Sequence, residues 1–149
     1  HVTKWRFSIM ATLKTNTLTG TSTAGSIAVT GEGNSTTTNL QQGLCKVFVN
    51  MDAGTTINDS FNVSSIADVG TGQHTINFTN AFGNTRHVPS SHGKEDTSGS
   101  HSSGTDRIVG ASRVAASASL LKITAVNVVS NNDKQDLAEI YVSIHGDLA

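Results

Sequence analysis

Residues 44–82 read LCKVFVNMDAGTTINDSFNVSSIADVGTGQHTINFTNAF, and their pattern indicates the fold class. From Cys45 to Met51 every second side chain suits a core, and a period of two is typical of a β-strand with one buried face. Residues 52–54 (DAG) and 70–72 (GTG) interrupt the alternation with residue types that favour tight turns. Because the alternation resumes after each interruption, the stretch predicts three antiparallel strands in a meander.

The same alternation predicts the core. On the three strands of the meander, the side chains expected to face inward are Cys45, Val47, Val49, Met51, then Ile57, Phe61, Val63, Ile66, then His74, Ile76 and Phe78. Further strands are predicted over residues 107–114, 120–129 and 137–145, with inward side chains Leu121, Ile123, Ala125, Val129, Ile140, Val142 and Ile144. Short strands joined by Gly, Asn and Asp turns predict an all-β fold, an antiparallel β-sandwich that is jelly-roll-like.

Composition excludes several classes of function. The chain has 149 residues, of which 36% are hydrophobic, and a formal net charge of −1. No basic stripe or row of aromatic residues is present for nucleic acid, and no apolar run is long enough for a membrane helix. The single cysteine, Cys45, cannot form an intrachain disulfide and is read as a small core residue. We expect no nucleic-acid partner, no membrane insertion and no cofactor.

Residues 1–43 are predicted to form an extended N-terminal segment, separate from a sandwich domain over residues 44–149. Trp5, Phe7 and Ile9 are spaced by two and could form an arm that pairs with a neighbouring subunit, or a strand packed on its own domain. Weak strands are expected over residues 13–18 and 26–30. The rest is rich in Ser, Thr and Gly. In an isolated chain, ordering such a segment therefore costs more conformational entropy than the burial of its few apolar side chains offsets. It is either a flexible tether or a segment that partner subunits order.

Residues 83–106 are predicted to be a long polar loop, and loops of this length are usually functional or disordered. His87, His92 and His101 lie in it, and imidazole is a good ligand for transition metals. Only the first two have a zinc-like spacing, and no cysteine accompanies them. They are weak metal candidates against the alternative of an exposed polar loop. A three-fold site with one His per subunit also stays open.

The sequence predicts no catalysis. Ser, His and Asp are abundant, but no G-x-S-x-G elbow stands in a strand-turn-helix context. Glycosidase chemistry needs two carboxyl groups facing each other across a cleft, whereas the acids here fall mainly at turns and in the loop. Tyr141 and Phe48 lie opposite the core sets of their strands. Such aromatic side chains mark a subunit interface or a sugar platform, unless a second sheet covers them.

Two motifs carry a resemblance to a known class of protein. The run over residues 46–82, from the aromatic strand KVFVN through DSFNVSS (59–65) and DVGTGQHTINF (68–78), resembles a module in tail-fibre and other virion proteins of tailed bacteriophages, especially marine and cyanobacterial ones. The leader over residues 13–44 and the ending over 140–149 (IYVSIHGDLA) are also similar to that module. Residues 83–106 match nothing in the pattern. The resemblance implies a non-catalytic structural protein of the virion that assembles as a homo-oligomer, most simply a homotrimer.

Two virion roles follow from the resemblance. A tail fibre would contact a host surface glycan or protein through the loop, whereas a capsid decoration (cement) protein would clamp other virion proteins with the N-terminal segment. A free lectin-like glycan-binding module is the alternative outside the virion. The candidate binding and interface residues are Trp5, Phe7, Ile9, Arg86, His87, His92, Lys94 and Tyr141.

Overall fold

The computed structural model describes residues 13–23, 27–31, 33, 35–52, 54–94, 107–112, 117–127 and 133–149. Its elements are β1 (Ala28–Thr30), β2 (Thr37–Asn39), α1 (Leu40–Gly43), β3 (Cys45–Asp52), β4 (Ile57–Phe61), β5 (Val63–Gly70), β6 (Gln73–Phe78), β7 (Val88–Lys94), β8 (Arg107–Ser112), β9 (Leu120–Asn127), β10 (Asp133–Lys134) and β11 (Glu139–His145). The described elements are nearly all antiparallel strands, which confirms the all-β class.

The strands form two larger antiparallel sheets and a small hairpin. The first sheet has the order β4-β3-β11-β7, and in the second β10-β9-β6-β5 are joined by β8, which pairs with β9. β1 and β2 pair only with each other. Because β3 pairs with β11 from Asp52 to Cys45, the first and last long strands of the sandwich lie side by side. The jelly-roll connectivity and the N-terminal arm stay predictions.

One hydrophobic core lies between the two sheets. Its buried members are Val47, Val49, Met51, Ile76, Phe78, Phe82, Leu121, Ile123, Ala125, Leu137, Ile140, Val142 and Ile144. The alternation predicted most of them, because each pleated strand sends every second side chain to one face. His74, also predicted inward, is buried with them. Full burial of each Val or Ile stabilises the fold by about 1.5–3 kcal/mol.

The predicted inward set of β4 is wrong. Ile57 is 36% exposed and Phe61 is 51% exposed. Phe61 is the register partner of Phe48, so it lies on the outer face, where the two rings stack with centroids 6.3 Å apart. A register shift between Asn50 and Met51 further displaces Ile57 from the alternation. Cross-strand pairing has overridden the local pattern of this strand.

Other predicted core positions have intermediate outcomes. Val63 and Ile66 are partly buried and pack against the core. Cys45 is also partly buried, and its Sγ lies 3.0 Å from the Val47 carbonyl oxygen. Val129 lies outside the described residues.

The predicted polar loop contains a strand. β7 occupies residues 88–94 and pairs with β11 from Glu139 to His145. The loop prediction is therefore wrong for these residues, since the free edge of β11 offers backbone hydrogen bonds that a polar sequence can also make. Pro89 fits there because β7 is an edge strand, where a missing N–H is tolerated. Residues 95–106 lie outside the described part of the chain.

An aromatic corner closes one end of the core. Phe82 packs edge-on against Phe78 with centroids 5.4 Å apart and stacks on His87 at 4.7 Å. His87 is only 5% exposed. Gly146 faces this corner, and a Cβ added there would lie 3.0 Å from two Phe82 ring carbons and 3.1 Å from the His87 Cβ.

We expect Gly146→Ala to lower the free energy of unfolding by about 1–3 kcal/mol, because the added methyl overpacks this corner. Urea denaturation followed by circular dichroism measures the change. Gly83→Ala is the matched control, since its Cβ would meet nothing closer than 3.6 Å. Equal stabilities for the two variants would contradict the prediction.

Candidate binding face

The four-stranded sheet has an outer face that carries aromatic and polar side chains. The strands that bury Val49 and Val142 inward send Asn50 and Tyr141 outward, because neighbouring residues of a strand face opposite sides. The register then sets two rows across the sheet. One row is Phe61, Phe48, Ser143 and Ser90, and the other is Asp59, Asn50, Tyr141 and His92. We call this surface the outer face.

A groove of about 340 Å³ runs along the outer face. Its lining includes Phe48, Asn50, Asp59, Ser90, His92 and Tyr141, so both rows contribute. Phe48 and Tyr141 are each 38% exposed, and their rings are therefore accessible. The volume falls within the roughly 300–1,000 Å³ of small-ligand sites, which combine apolar walls with a few polar groups.

Hydrogen bonds hold the Tyr141 side chain in the groove. Its hydroxyl donates to Glu139 Oε2 at 2.5 Å, and Lys94 Nζ donates to Glu139 Oε1 at 3.0 Å. Both bonds lower the pKa of the Glu139 carboxyl, and the bond from Tyr141 has the larger effect. Conversely, the hydrogen bond to Glu139 raises the pKa of the Tyr141 phenol. The Glu139 carboxylate thus orients the Tyr141 ring, and Lys94 in turn holds the other oxygen of that carboxylate.

Replacing Glu139 should therefore change the titration of Tyr141. We expect Glu139→Gln to lower the pKa of the Tyr141 phenol toward its ordinary value, because an amide does not oppose the tyrosinate charge. Tyr141 is the single tyrosine of the chain, so the near-ultraviolet absorbance of tyrosinate reports on it alone. Asp59→Asn removes a nearby charge without touching this hydrogen bond and serves as control. An unchanged titration in Glu139→Gln would refute the assigned bond.

The structure brings together three of the residues that the sequence singled out. His92 and Tyr141 are register partners, and Lys94 is the register partner of Glu139. Arg86 is exposed outside the strands, where its backbone N–H donates to Asn84 Oδ1 at 2.7 Å. His87, also a candidate for binding, is buried and stacks on Phe82, away from the outer face.

Several predicted residues lie outside the described part of the chain. They are Trp5, Phe7, Ile9 and His101. Among the described residues, no three His, Cys, Asp or Glu side chains are grouped so that they could hold a metal ion. His87 and His92 do not share a site, because the first is buried and the second lies on the outer face.

Sequence reasoning missed Asp59, Asn50 and Ser90. Asn50 accepts a hydrogen bond of 3.2 Å from Asn58 and, by donating to Glu139, helps lower the pKa of that carboxyl. The available signal was the alternation itself, which places Asn50 on the same face as Phe48. Asp59 stands in the DSFNVSS motif but gains its place only through pairing with Asn50.

No protein-family model matches the chain, and neither a curated protein nor a solved structure is significantly similar to it. Across the described ranges, no helix is long and apolar enough to cross a membrane. The resemblance to phage virion proteins accordingly stays a prediction.

Proposed function

We propose that the chain is a non-catalytic structural protein of a tailed-phage virion, displayed on the particle as a homo-oligomer, most simply a homotrimer. Its N-terminal segment attaches it to neighbouring subunits or other virion proteins, and its sandwich presents the outer face. The motifs over residues 59–65 and 68–78 support a tailed-phage virion as the particle. The observation that carries the proposal is the exposure of the described residues of the N-terminal segment.

None of the described residues between 13 and 44 is buried. The hairpin of β1 and β2 pairs with itself, and its Val29 side chain is 50% exposed. Leu13, Leu18 and Leu44 are also exposed apolar side chains. A segment that orders its backbone without burying its own apolar groups gains stability when a neighbouring chain covers them. This supports attachment through residues 1–43.

The hydrogen bonds of Glu139, which holds the groove residue Tyr141, fit a positioning role for this carboxyl better than that of a glycosidase acid. A glycosidase acid needs a raised pKa, so that it is protonated and ready to donate near neutral pH. The hydrogen bonds from Tyr141 and Lys94 move the pKa of Glu139 in the opposite direction. Glu139 therefore acts here as a fixed carboxylate that positions a neighbouring ring.

Removing residues 1–43 should reduce the mass of the particle-free protein from oligomer to monomer, because the attachment surface is lost. Light scattering behind size exclusion measures this, and circular dichroism checks the sandwich, whose described buried apolar residues lie between Val47 and Ile144. A point variant, Val29→Asp, should act in the same direction. Val69→Asp is its control, since Val69 is 59% exposed on β5 of the other sheet.

The virion role itself is tested on particles. Mass spectrometry of purified particles of a tailed phage that encodes this chain should detect it, and immunogold labelling should place it on the capsid or the tail. Deletion of residues 1–43 should abolish incorporation. Normal incorporation of the deleted protein would refute attachment through this segment, and absence of the intact chain from particles would refute the virion role.

A further inference from the structure

We infer that the groove of the outer face binds a neutral oligosaccharide. The inference adds a ligand class to the proposed function and rests on it only for its biological setting, since binding is a property of the purified chain. It is carried by the Tyr141 ring, the Phe48 wall and the unengaged polar groups beside them.

Tyr141 offers a preorganised stacking surface. Its ring is 38% exposed, and its hydroxyl is held at 2.5 Å by Glu139, whose other oxygen accepts from Lys94. A ring that is already fixed loses little conformational entropy when a ligand packs on it. The apolar C–H face of a pyranose is the complement of such an aromatic face, which favours amphipathic contacts.

The groups around Tyr141 suit sugar hydroxyls. In the described part of the chain, Asp59, Ser90, His92 and Ser143 make no side-chain hydrogen bond, so their donors and acceptors face the groove unengaged. A hydroxyl can both donate and accept, and therefore can satisfy the Asp59 carboxylate as well as the serines. An apolar protein surface seated there would leave these groups unpaired at a cost, which disfavours a second copy of the chain as the occupant.

The charge and the length of the groove restrict the class of ligand. Among the described residues that line the groove, Asp59 is the one carboxylate and makes no ion pair, so it would repel a uronic or sialic acid. The rows cross four strands, which at about 4.8 Å between neighbours gives a length of roughly 14 Å. A short oligosaccharide fills that length better than a single ring does. The stacked Phe48 and Phe61 extend the apolar wall to the edge strand.

The test uses the full chain and an array of immobilised neutral oligosaccharides built from glucose, galactose, mannose or N-acetylglucosamine, with sialylated and uronic glycans beside them. We expect binding to at least one neutral oligosaccharide and weaker binding to the acidic ones. Tyr141→Ala should weaken binding at least tenfold, and Asp59→Ala several-fold. Tyr141→Phe keeps the stacking ring and should remain within a few-fold of the parent.

Val69→Ala, on the other sheet, is the surface control and should bind as the parent does. Circular dichroism and light scattering accompany each variant. Absence of binding by the folded parent, preference for acidic glycans, or equal binding by Tyr141→Ala would overturn the inference. Loss of oligomerisation in folded Tyr141→Ala would also overturn it, because the outer face would then be a subunit contact. Incorporation into particles is measured separately, so failure here leaves the virion role standing.

Discussion

Gly72→Ala should destabilise the fold by about 3–5 kcal/mol, which is a large part of the total stability of a domain of this size. Gly72 lies in the turn between β5 and β6 with φ +64°. An added Cβ would lie 2.6 Å from the Ala125 carbonyl oxygen and 2.7 Å from the Gln135 nitrogen. Both atoms are backbone, so no side chain can move aside. The left-handed conformation adds about 1–2 kcal/mol for alanine.

The close approach at Gly72 holds several strands together. Its carbonyl accepts the Ala125 N–H at 2.7 Å, and its own N–H donates to Asp136 Oδ1 at 2.6 Å. Moving the turn to accommodate a Cβ would stretch both bonds. Thermal and urea denaturation followed by circular dichroism should show the loss as a lower midpoint.

Two control variants separate the steric effect from the conformational one. Gly70 has φ +138°, but an added Cβ would meet nothing closer than Gln73 Oε1 at 3.9 Å, so Gly70→Ala reports backbone strain alone. Gly43 has open space around it, and Gly43→Ala should stay within about 0.5 kcal/mol of the parent. If Gly72→Ala were no less stable than Gly70→Ala, the close approach to Ala125 and Gln135 would be refuted.

Asn62→Ala should lower the free energy of unfolding by about 2–4 kcal/mol. Asn62 is the single residue between β4 and β5, where the chain passes from one sheet to the other, and its φ is +60°. Its Nδ2 donates to the carbonyls of Lys46 and Asn80 at 3.2 and 3.1 Å, and its Oδ1 accepts the Asn80 N–H at 2.7 Å. Alanine removes these bonds, which contribute about 0.5–1 kcal/mol each, and is strained by about 1 kcal/mol at positive φ.

Other variants at position 62 separate the loss of hydrogen bonds from the backbone strain in the lowered free energy of unfolding. Asn62→Gly loses the hydrogen bonds but accepts the backbone conformation, so its difference from Asn62→Ala measures the strain. Asn62→Asp keeps the acceptor for the Asn80 N–H and loses the two donors. Asn58→Ala removes one exposed bond, to Asn50, and should cost at most about 0.5 kcal/mol. A loss in Asn62→Ala as small as that in Asn58→Ala would contradict the role of Asn62 as the corner.

The local pattern of the sequence determined the all-β class and most of the core. Val47, Val49 and Met51 on β3, and Ile140 and Val142 on β11, were predicted inward and are buried. These strands lie in the middle of the first sheet, between β4 and β7. A strand with one face on the core must bury every second side chain, so a period of two in the sequence is enough to identify that face.

The edges of the sheets and the residues that meet on the outer face depend on tertiary contacts. Phe61 is apolar and fits the alternation, yet it lies outside because its partner is Phe48. The strand β7 forms from a polar sequence because β11 supplies a free edge, and His87 is buried because Phe82 packs against it.

The groove also depends on pairing between strands that are distant in the sequence. Asp59, Tyr141 and His92 are far apart in sequence and share a row only through the register of four strands. Alternation tells which residues of one strand share a face, but the partners across the sheet are set by pairing between distant segments. A strand's own residues therefore determine its core face, whereas the neighbours of each outward side chain are determined by the assembled sheet.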